Sequence, residues 1–256
     1  MMHKSRPHRY IANVSRAPAR ALRPALILSL LVFMTAMLLV TGTEAAMPGD
    51  RAMTHGQAVE QAMLHHALLA FAREDYARAH ARLLPLAQNG DIEAQFYLGS
   101  LYDAGGNGIE ANAAMAAHWF QRAARHGHVD AQYNMGVAYA NGDGVVQDTV
   151  NAVRWWRRAA NNGSLNAQFN LGIVYLRGDG IRQDANEAFS WWQMAARQGD
   201  PAAQFNLGAL YANGQGVTAD MQKALMWWRR AADQGFAQAI QLLRERPGMG
   251  EVASRR

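Results

Sequence analysis

The chain has 256 residues, no cysteine and a formal net charge of +5. The absence of cysteine excludes disulfide bonds, thiolate metal sites and a cysteine nucleophile. Residues 1–45 carry six Lys or Arg and one acidic residue, whereas the remainder carries 19 basic and 19 acidic residues. The repeats therefore lack the overall basic bias that nucleic-acid binding requires, and we expect no nucleic-acid partner.

An uncharged stretch from Pro24 to Thr43 follows the basic N-terminal residues. A basic start followed by an apolar run is typical of a membrane-targeting segment. The run is intermediate in length between a secretory signal and a spanning helix, so two alternatives stay open. One is a signal peptide cleaved after Ala45, and the other is an uncleaved anchor at residues 24–43. Because basic residues stay in the cytoplasm, both alternatives predict that the chain after Met47 is extracytoplasmic, which in bacteria means periplasmic or secreted.

A helix pair is predicted after a short linker. His55 to Ala72 carries apolar residues at helical spacing, and Glu74 and Asp75 open a second helix. Pro85 lies inside that second helix and predicts a kink. The pair, residues 55–93, resembles a tetratricopeptide-type hairpin and would serve as the N-terminal cap of the helices downstream.

A run of closely similar units then begins. Each unit opens with Ala-Gln, continues with a glycine and a tyrosine at fixed distances, and has glycines in the loop that ends its first helix. A fixed period of this kind is the mark of a repeat array, in which each unit stacks on its neighbours because it cannot bury its own apolar face. The units are residues 94–130, 131–166, 167–202 and 203–238.

The second helix of each unit is also readable from the sequence. It begins at a residue whose side chain can accept a backbone hydrogen bond, as an N-cap requires, and it ends at a glycine suited to a left-handed C-terminal cap. Adjacent aromatics on a helix point about 100° apart, so we interpret the recurring aromatic pairs as core and not as a ligand cage. The predicted N-caps are Asn112, Asp148, Asp184 and Asp220, and the terminal glycines are Gly127, Gly163, Gly199 and Gly235.

The shared pattern AQFNLGxxYxxGxGVxxDxxxAxxWWRRAAxxG resembles the Sel1-like repeat, a relative of the tetratricopeptide repeat. The resemblance implies an all-α fold, a right-handed α-solenoid of antiparallel helix pairs. It also implies a non-catalytic adaptor that assembles protein complexes, in bacteria often at the cell envelope. The predicted organisation is a leader at 1–46, a linker at 47–54, the N-terminal cap at 55–93, the four repeats, a C-terminal capping helix at 237–246 and a disordered tail at 247–256.

The helical period predicts that one face of each first helix is the core, and one set of aromatic residues falls on the opposite face. Two interpretations are open. These rings pack against the adjacent repeat, or they line a concave groove and anchor a peptide. In the third repeat the predicted core positions are Ala167, Leu171, Val174 and Tyr175, and the opposite aromatics of the four repeats are Phe96, Tyr133, Phe169 and Phe205.

An asparagine follows the aromatic residue in the second, third and fourth repeats, whereas Tyr97 follows it in the first. Amide side chains can hydrogen-bond the backbone of an extended peptide, or they can tie neighbouring helices together, and both interpretations stay open. The candidate partner-binding groove consists of Asn134, Asn170, Asn206, Arg177, Tyr133, Phe169 and Phe205.

Other motifs are set aside. His126, His128 and Asp130, and the cluster of His55 with His65 and His66, lack a helical ligand spacing and a third ligand fixed by the sequence, which favours solvated histidines. The loops NGDGVVQD and RGDGIRQD lack the acidic ligands of a calcium loop, and no strand precedes them as a phosphate loop would need. We therefore predict no enzyme, no cofactor and no metal.

The sequence accordingly predicts an extracytoplasmic scaffold that binds a peptide or protein of the bacterial cell envelope on its concave surface. Membrane contact is expected only through the leader, if it stays uncleaved. A peptidoglycan or glycan binding protein is the alternative, and a cell-wall-directed enzyme is a further one.

Overall fold

The computed structural model describes residues 54–245. The predicted leader, nearly all of the linker and the C-terminal tail lie outside the described residues. Within that range the chain forms eleven α-helices, and strand-like pairing is limited to an isolated bridge between Gly106 and Ile109. The helices are α1 His55–Ala72, α2 Tyr76–Gln88, α3 Ile92–Ala104, α4 Ala113–Arg125, α5 Val129–Asn141, α6 Thr149–Asn161, α7 Leu165–Arg177, α8 Ala185–Arg197, α9 Pro201–Asn213, α10 Met221–Asp233 and α11 Ala237–Glu245.

The described residues divide into two compact units, residues 54–147 and residues 148–245. The N-terminal unit contains α1 to α5, and each helix packs on the next one along the chain. The C-terminal unit contains α6 to α11 and is built in the same way. The predicted fold class, an all-α solenoid of consecutive helix pairs, is confirmed.

The predicted N-terminal cap is present and begins one residue before its first helix. The Thr54 hydroxyl accepts a hydrogen bond from the backbone N–H of Gln57, and the side-chain oxygen of Gln57 accepts one from the backbone N–H of Thr54, so the two form a capping box. Asp75 caps α2, and α2 continues past Pro85 to its end at Gln88. Thr54 was predicted to lie in the linker, and in the structure it is the N-cap of α1.

The predicted caps of the second helices are all present. Asn112, Asp148, Asp184 and Asp220 each accept a backbone hydrogen bond from the first turn of the helix that follows. The hydrogen bond from the backbone N–H of Lys223, aided by its ammonium group, holds the pKa of Asp220 below its usual range. These four side chains therefore serve as the N-caps of the second helices.

The connection between consecutive repeats is short because one glycine ends a helix and the next residue starts another. Gly163 has a φ of +90°, and its N–H bonds the Ala160 carbonyl at 3.1 Å. The N–H of Ser164 bonds the Ala159 carbonyl at 3.0 Å, which completes a Schellman motif. The Ser164 hydroxyl then caps α7 by accepting from Ala167.

A buried glutamine joins each first helix to the helix before it. The side-chain amide of Gln204 donates to the carbonyl oxygen of Ala196 at 3.2 Å, and its oxygen accepts from the Gln234 amide at 2.8 Å. The Ala-Gln opening is visible in the sequence, but this role of the glutamine is not. The same amide-to-carbonyl bond, eight residues back in the chain, is made in every repeat by Gln95, Gln132, Gln168 and Gln204.

The first helices are buried around most of their circumference. In α9 every residue from Ala202 to Tyr211 is buried, including polar ones. A single apolar stripe was predicted as the core, and that prediction is too narrow, because each first helix lies between neighbouring helices on more than one side. The second helices keep a solvent face, and Arg229 and Arg230 on α10 are exposed.

Glycine in the middle of a first helix lets a large ring approach its backbone. A Cβ at Gly172 would overlap the indole nitrogen of Trp192, and that same nitrogen donates to the Phe169 carbonyl at 3.1 Å. Gly208 lies against Trp228 in the same way. At Gly172 and Gly208 the group that approaches the helix backbone is therefore an aromatic ring of the following helix.

Replacing Gly172 with valine is expected to lower the free energy of unfolding by about 2 to 4 kcal/mol, because the branched side chain displaces the Trp192 indole and its hydrogen bond. Gly56→Ala is the control, since a Cβ there meets nothing closer than the Thr54 hydroxyl at 4.0 Å. Thermal unfolding of both variants measures the difference. An unchanged midpoint for Gly172→Val would contradict the close contact.

Replacing Gln204 with methionine is expected to lower the free energy of unfolding by about 1 to 3 kcal/mol, because the Ala196 carbonyl loses one of its two donors and the Gln234 amide loses the Gln204 oxygen that accepts from it. Gln241→Met is the matched control: Gln241 donates to Glu245 at 2.8 Å on the exposed face of α11. Denaturant titration compares the two. Equal small effects would show that the buried amide contributes no more than a surface one.

Candidate partner-binding surfaces

The structure places the three candidate aromatic residues inside the helix packing. Phe169 is 0% exposed, and Tyr133 and Phe205 are also buried. Phe205 lies between the rings of Trp228 and Phe236, with centroids 6.4 and 5.5 Å away. Burial of these rings supports the packing interpretation, and we correct their assignment to a groove, because neighbouring helices cover the face that the helical period had left open.

The three candidate asparagines differ in exposure. Asn206 is 0% exposed, Asn134 is 9% exposed and Asn170 is half-buried. Asn134 lies on α5 in the N-terminal unit, and the other two lie on α7 and α9 in the C-terminal unit. Position in the repeat therefore does not decide the role of the amide: the side chains around it do.

Asn170 and Arg177 are brought onto one surface of α7. They are seven residues apart, which is close to two helical turns, so they share a face. Ile173 lies between them and is half-buried, and Arg177 is exposed with its guanidinium 4.0 Å from the Asp179 carboxylate. This α7 face, Asn170 with Ile173 and Arg177, combines an amide, an apolar side chain and a cation at accessible positions.

The outer faces of the second helices carry a pattern that the sequence analysis missed. An arginine three residues after the first aromatic lies over its ring in three repeats, at 4.7 to 4.9 Å from the centroid. In the third repeat the arginine is replaced by Met194, and the Trp191 N–H donates to Glu187 at 2.9 Å instead. The pairs are Arg122 over Trp119, Arg158 over Trp155 and Arg230 over Trp227.

Burial shifts the pKa values of several groups in the N-terminal unit, among them Tyr97 and His80. Burial, with the charges of Glu93 and Asp130, raises the pKa of Tyr97 to about 12, so this phenol stays neutral. Burial also lowers the pKa of His80, whose Nε2 lies 2.8 Å from the Tyr102 hydroxyl. Both groups are part of the helix packing near the N-terminal cap.

The histidine clusters do not converge. Within residues 54–245 no group of three or more His, Asp or Glu side chains is arranged to hold a metal ion. The nitrogen Nδ1 of His128 accepts from Ala131 and so caps α5, and its ring stacks on Phe96 with centroids 4.2 Å apart. Among these same residues, no helix combines the length and apolar character needed to cross a bilayer.

Comparison with known families assigns the repeats. The Sel1 repeat profile matches residues 92–128, 129–164, 165–200 and 201–236, which is more than half of the chain. The chain belongs to the Sel1 repeat family. The matched segments begin two residues before each opening alanine, where α3, α5, α7 and α9 themselves begin. A search of the curated proteins found no match.

Solved structures that are similar to this Sel1 protein include the following two. A Sel1 repeat protein from Oxalobacter formigenes is 37% identical, with 73% of this chain and 55% of that chain covered and a TM-score of 0.65. The protein c5321, a protective antigen of uropathogenic Escherichia coli with an SLR fold, is 29% identical, with 78% and 44% covered and a TM-score of 0.73. This chain thus spans about half the length of these relatives.

Single alanine substitutions are expected to distinguish the contributions of Asn206 and Asn170 to the free energy of unfolding. Asn206→Ala should lower the free energy of unfolding by about 1 to 3 kcal/mol, because a fully buried amide leaves its surroundings unsatisfied. Asn170→Ala should change it by less than about 0.5 kcal/mol, because water replaces the contacts of a half-exposed amide. Thermal unfolding of the two variants is the measurement, and equal losses would show that Asn170 also joins helices.

Proposed function

We propose that this Sel1 protein is an extracytoplasmic scaffold that binds a peptide or protein segment of the bacterial cell envelope. Sel1 repeat proteins are in general non-catalytic scaffolds for protein–protein interaction, and the four matched repeats support the interaction role. The envelope location and the class of partner are the parts that we add.

The α7 face carries the binding part of the proposal. A protein segment that lies along a helix needs hydrogen-bonding groups for its backbone and an apolar contact for its side chains. Asn170 supplies an amide with both a donor and an acceptor, Ile173 an apolar side chain, and Arg177 a cation at the end of the helix. These three side chains are accessible, whereas the aromatic residues of the candidate groove are buried.

The N-terminal sequence supports the proposed extracytoplasmic location. Basic residues precede an uncharged stretch at 24–43, which is the pattern of a segment that directs the following chain across a membrane. Accessibility of the repeats to a protease added to spheroplasts tests this part separately. Cleavage before lysis supports an extracytoplasmic location, and protection until lysis contradicts it.

Binding of a glycan, the alternative, would need exposed aromatic rings that stack on sugars. Phe169 and Phe205, which the sequence placed on a face away from the core, are buried. The geometry therefore favours a protein segment as the ligand.

Photocrosslinking in the native cell tests the α7 face. A photoreactive amino acid in place of Arg177 is expected to give a discrete crosslinked product that mass spectrometry identifies as an envelope protein. The same amino acid at Arg229, exposed on the outer face of α10, is the matched control and should give little of that product.

Asn170→Ala in the Arg177 photocrosslinking protein should reduce the yield about three- to tenfold, because one peptide hydrogen bond is lost. If the photoreactive amino acid gave the same product at Arg177 and at Arg229, the contact would lie elsewhere, and the proposal that the α7 face binds the partner would be abandoned.

A further inference from the structure

The second helices of the C-terminal unit share an outward surface that is rich in arginine. In α6 it is formed by Arg154, Arg157, Arg158 and Asn161, which lie on one side of the helix because they are three and four residues apart. The equivalent positions of α8 and α10 follow 36 and 72 residues later. All twelve side chains are exposed except that of Gln193, which is half-buried. This surface is here called the arginine face, and its arginines are Arg154, Arg157, Arg158, Arg197, Arg229 and Arg230.

The three helices of the arginine face follow one another in the same arrangement. A Cβ at Gly180, in the loop before α8, would overlap the side chain of Thr149 at the start of α6. A Cβ at Gly216, in the loop before α10, would overlap the carbonyl of Ala185 at the start of α8. Packed helices lie roughly 8 to 10 Å apart, and a helix of this length rises about 20 Å. The arginine face is therefore a continuous surface about 20 Å long and about 20 Å wide.

The charge on the arginine face is strongly unbalanced. Asp233 is its one acidic member, and Glu187, beside it on α8, pairs with Arg157 at 3.1 Å. Six guanidinium groups thus meet two carboxylates. The repeat does not need this surplus for packing, because Met194 takes the position of Arg158 in the third repeat. Since like charges on one surface repel one another, binding of an anionic ligand would be favourable there.

Two arginines of the face are positioned for an anion by tryptophan rings. Arg158 lies over the Trp155 ring at 4.7 Å from its centroid, and Arg230 lies over the Trp227 ring at 4.8 Å. The ring covers one side of the planar guanidinium and leaves the N–H groups at its edge accessible. Such a fork matches two oxygens of a phosphate. The stacking also removes side-chain freedom before the ligand arrives, which lowers the entropy cost of binding.

Exposed apolar side chains lie among the arginines. Met194 is 43% exposed and Met226 is 39% exposed. A bilayer interface offers phosphates and apolar chain segments together, and helices that lie in it combine basic with apolar side chains. Because every phospholipid headgroup carries a phosphate, a lipid surface can match six guanidinium groups spread over three helices. A protein partner would need a similar density of carboxylates, and a nucleic acid would leave the methionines unmatched.

We propose that the arginine face binds the anionic phospholipid headgroups of a bilayer surface. The guanidinium groups donate to phosphate oxygens, and Met194 and Met226 contact the apolar boundary below the headgroups. The contact is peripheral, because the helices stay packed and only their outward side chains reach the lipid. Membrane contact was predicted only through the leader, and the arginine face adds a second contact.

This inference goes beyond the proposed function and does not depend on it. The α7 face and the arginine face lie on different helices, so loss of one binding activity leaves the other in place. Arg229, the position of the crosslinking control, belongs to the arginine face. A lipid contact there yields no crosslinked protein, so the control for the α7 face remains valid.

The test uses the full chain reconstituted in lipid vesicles, with a nitroxide label on Ser190→Cys, an exposed position of the arginine face on α8. The chain has no native cysteine, so the label attaches at one site. Vesicles of phosphatidylcholine alone are compared with vesicles in which about one third of the lipid is anionic phosphatidylglycerol. Electron paramagnetic resonance measures the accessibility of the label to a water-soluble nickel complex. This accessibility is expected to fall on the anionic vesicles and to stay high on the neutral ones.

A second label site separates the arginine face from the leader. Gln241→Cys is the matched control, because Gln241 is exposed on α11 and lies outside the arginine face. The accessibility of this label is expected to be the same on both kinds of vesicle. The leader is common to the two labelled proteins, so any membrane insertion by it cancels in the comparison. Added salt is expected to release the Ser190 label, since it screens charges at the surface.

Arg230→Gln in the Ser190→Cys protein is expected to lower the ratio of docked to undocked label about fivefold, which is the contribution of one basic residue near an anionic bilayer. Arg244→Gln is the matched control, because it removes the same charge from an exposed position of α11, and it should leave the ratio unchanged. The ratio is measured at a salt concentration at which both populations of label are visible. Thermal unfolding verifies that both variants are folded.

Three results would overturn the proposal. The first is an equal accessibility of the Ser190 and Gln241 labels on anionic vesicles, which would leave the leader as the membrane contact or point to an acidic protein as the ligand. The second is equal docking on neutral and anionic vesicles, which would indicate an apolar contact through the methionines. The third is an equal effect of Arg230→Gln and Arg244→Gln, which would indicate a diffuse attraction by the charge of the whole chain.

Discussion

The side-chain amide of one buried glutamine per repeat connects the helices of this protein across the boundary between consecutive repeats. Gln168 donates to the Ala160 carbonyl at 3.1 Å, and this carbonyl belongs to the last turn of the preceding helix. The same carbonyl accepts from the backbone N–H of Gly163 at 3.1 Å, so the glutamine of the next helix adds a second hydrogen bond to a carbonyl at the helix end. The bond also determines where the first helix begins relative to the helix before it.

Packing around that connection depends on pairing very small residues with very large ones. Gly172 and Gly208 leave room for the indoles of Trp192 and Trp228. Each indole nitrogen donates to a backbone carbonyl of the helix that carries its glycine. The ring thus fills space and satisfies a polar atom at once. Because this arrangement is repeated, the repeat frame does not require one particular side chain at the positions that vary, such as those of Met194, Arg177 and Asp103.

Much of the fold could be predicted from local chemistry. The caps at Asp148 and Asp220, the helix end at Gly163 and the bounds of α1 were predicted because each depends on neighbours within a few residues. The candidate site was harder. Phe169 and Phe205 were assigned to a face whose environment the helical period cannot specify, because that face is covered by residues distant in the chain. The glutamine bond was missed for the same reason, since its acceptor lies on another helix.

The sequence by itself determined the family, the number of repeats, the start and end of each second helix and the exclusion of cysteine chemistry. Those properties follow from a periodic pattern and from caps, which act over one or two turns. Only the tertiary structure decided which of three equivalent asparagines is enclosed. Asn206 is covered where Leu176 and Phe189 occupy the neighbouring positions, and Asn134 borders an open cleft where Asp103 and Ala117 stand instead. Exposure is a property of the side chains that surround a residue in space, and these come from helices that the residue's own sequence neighbourhood does not contain.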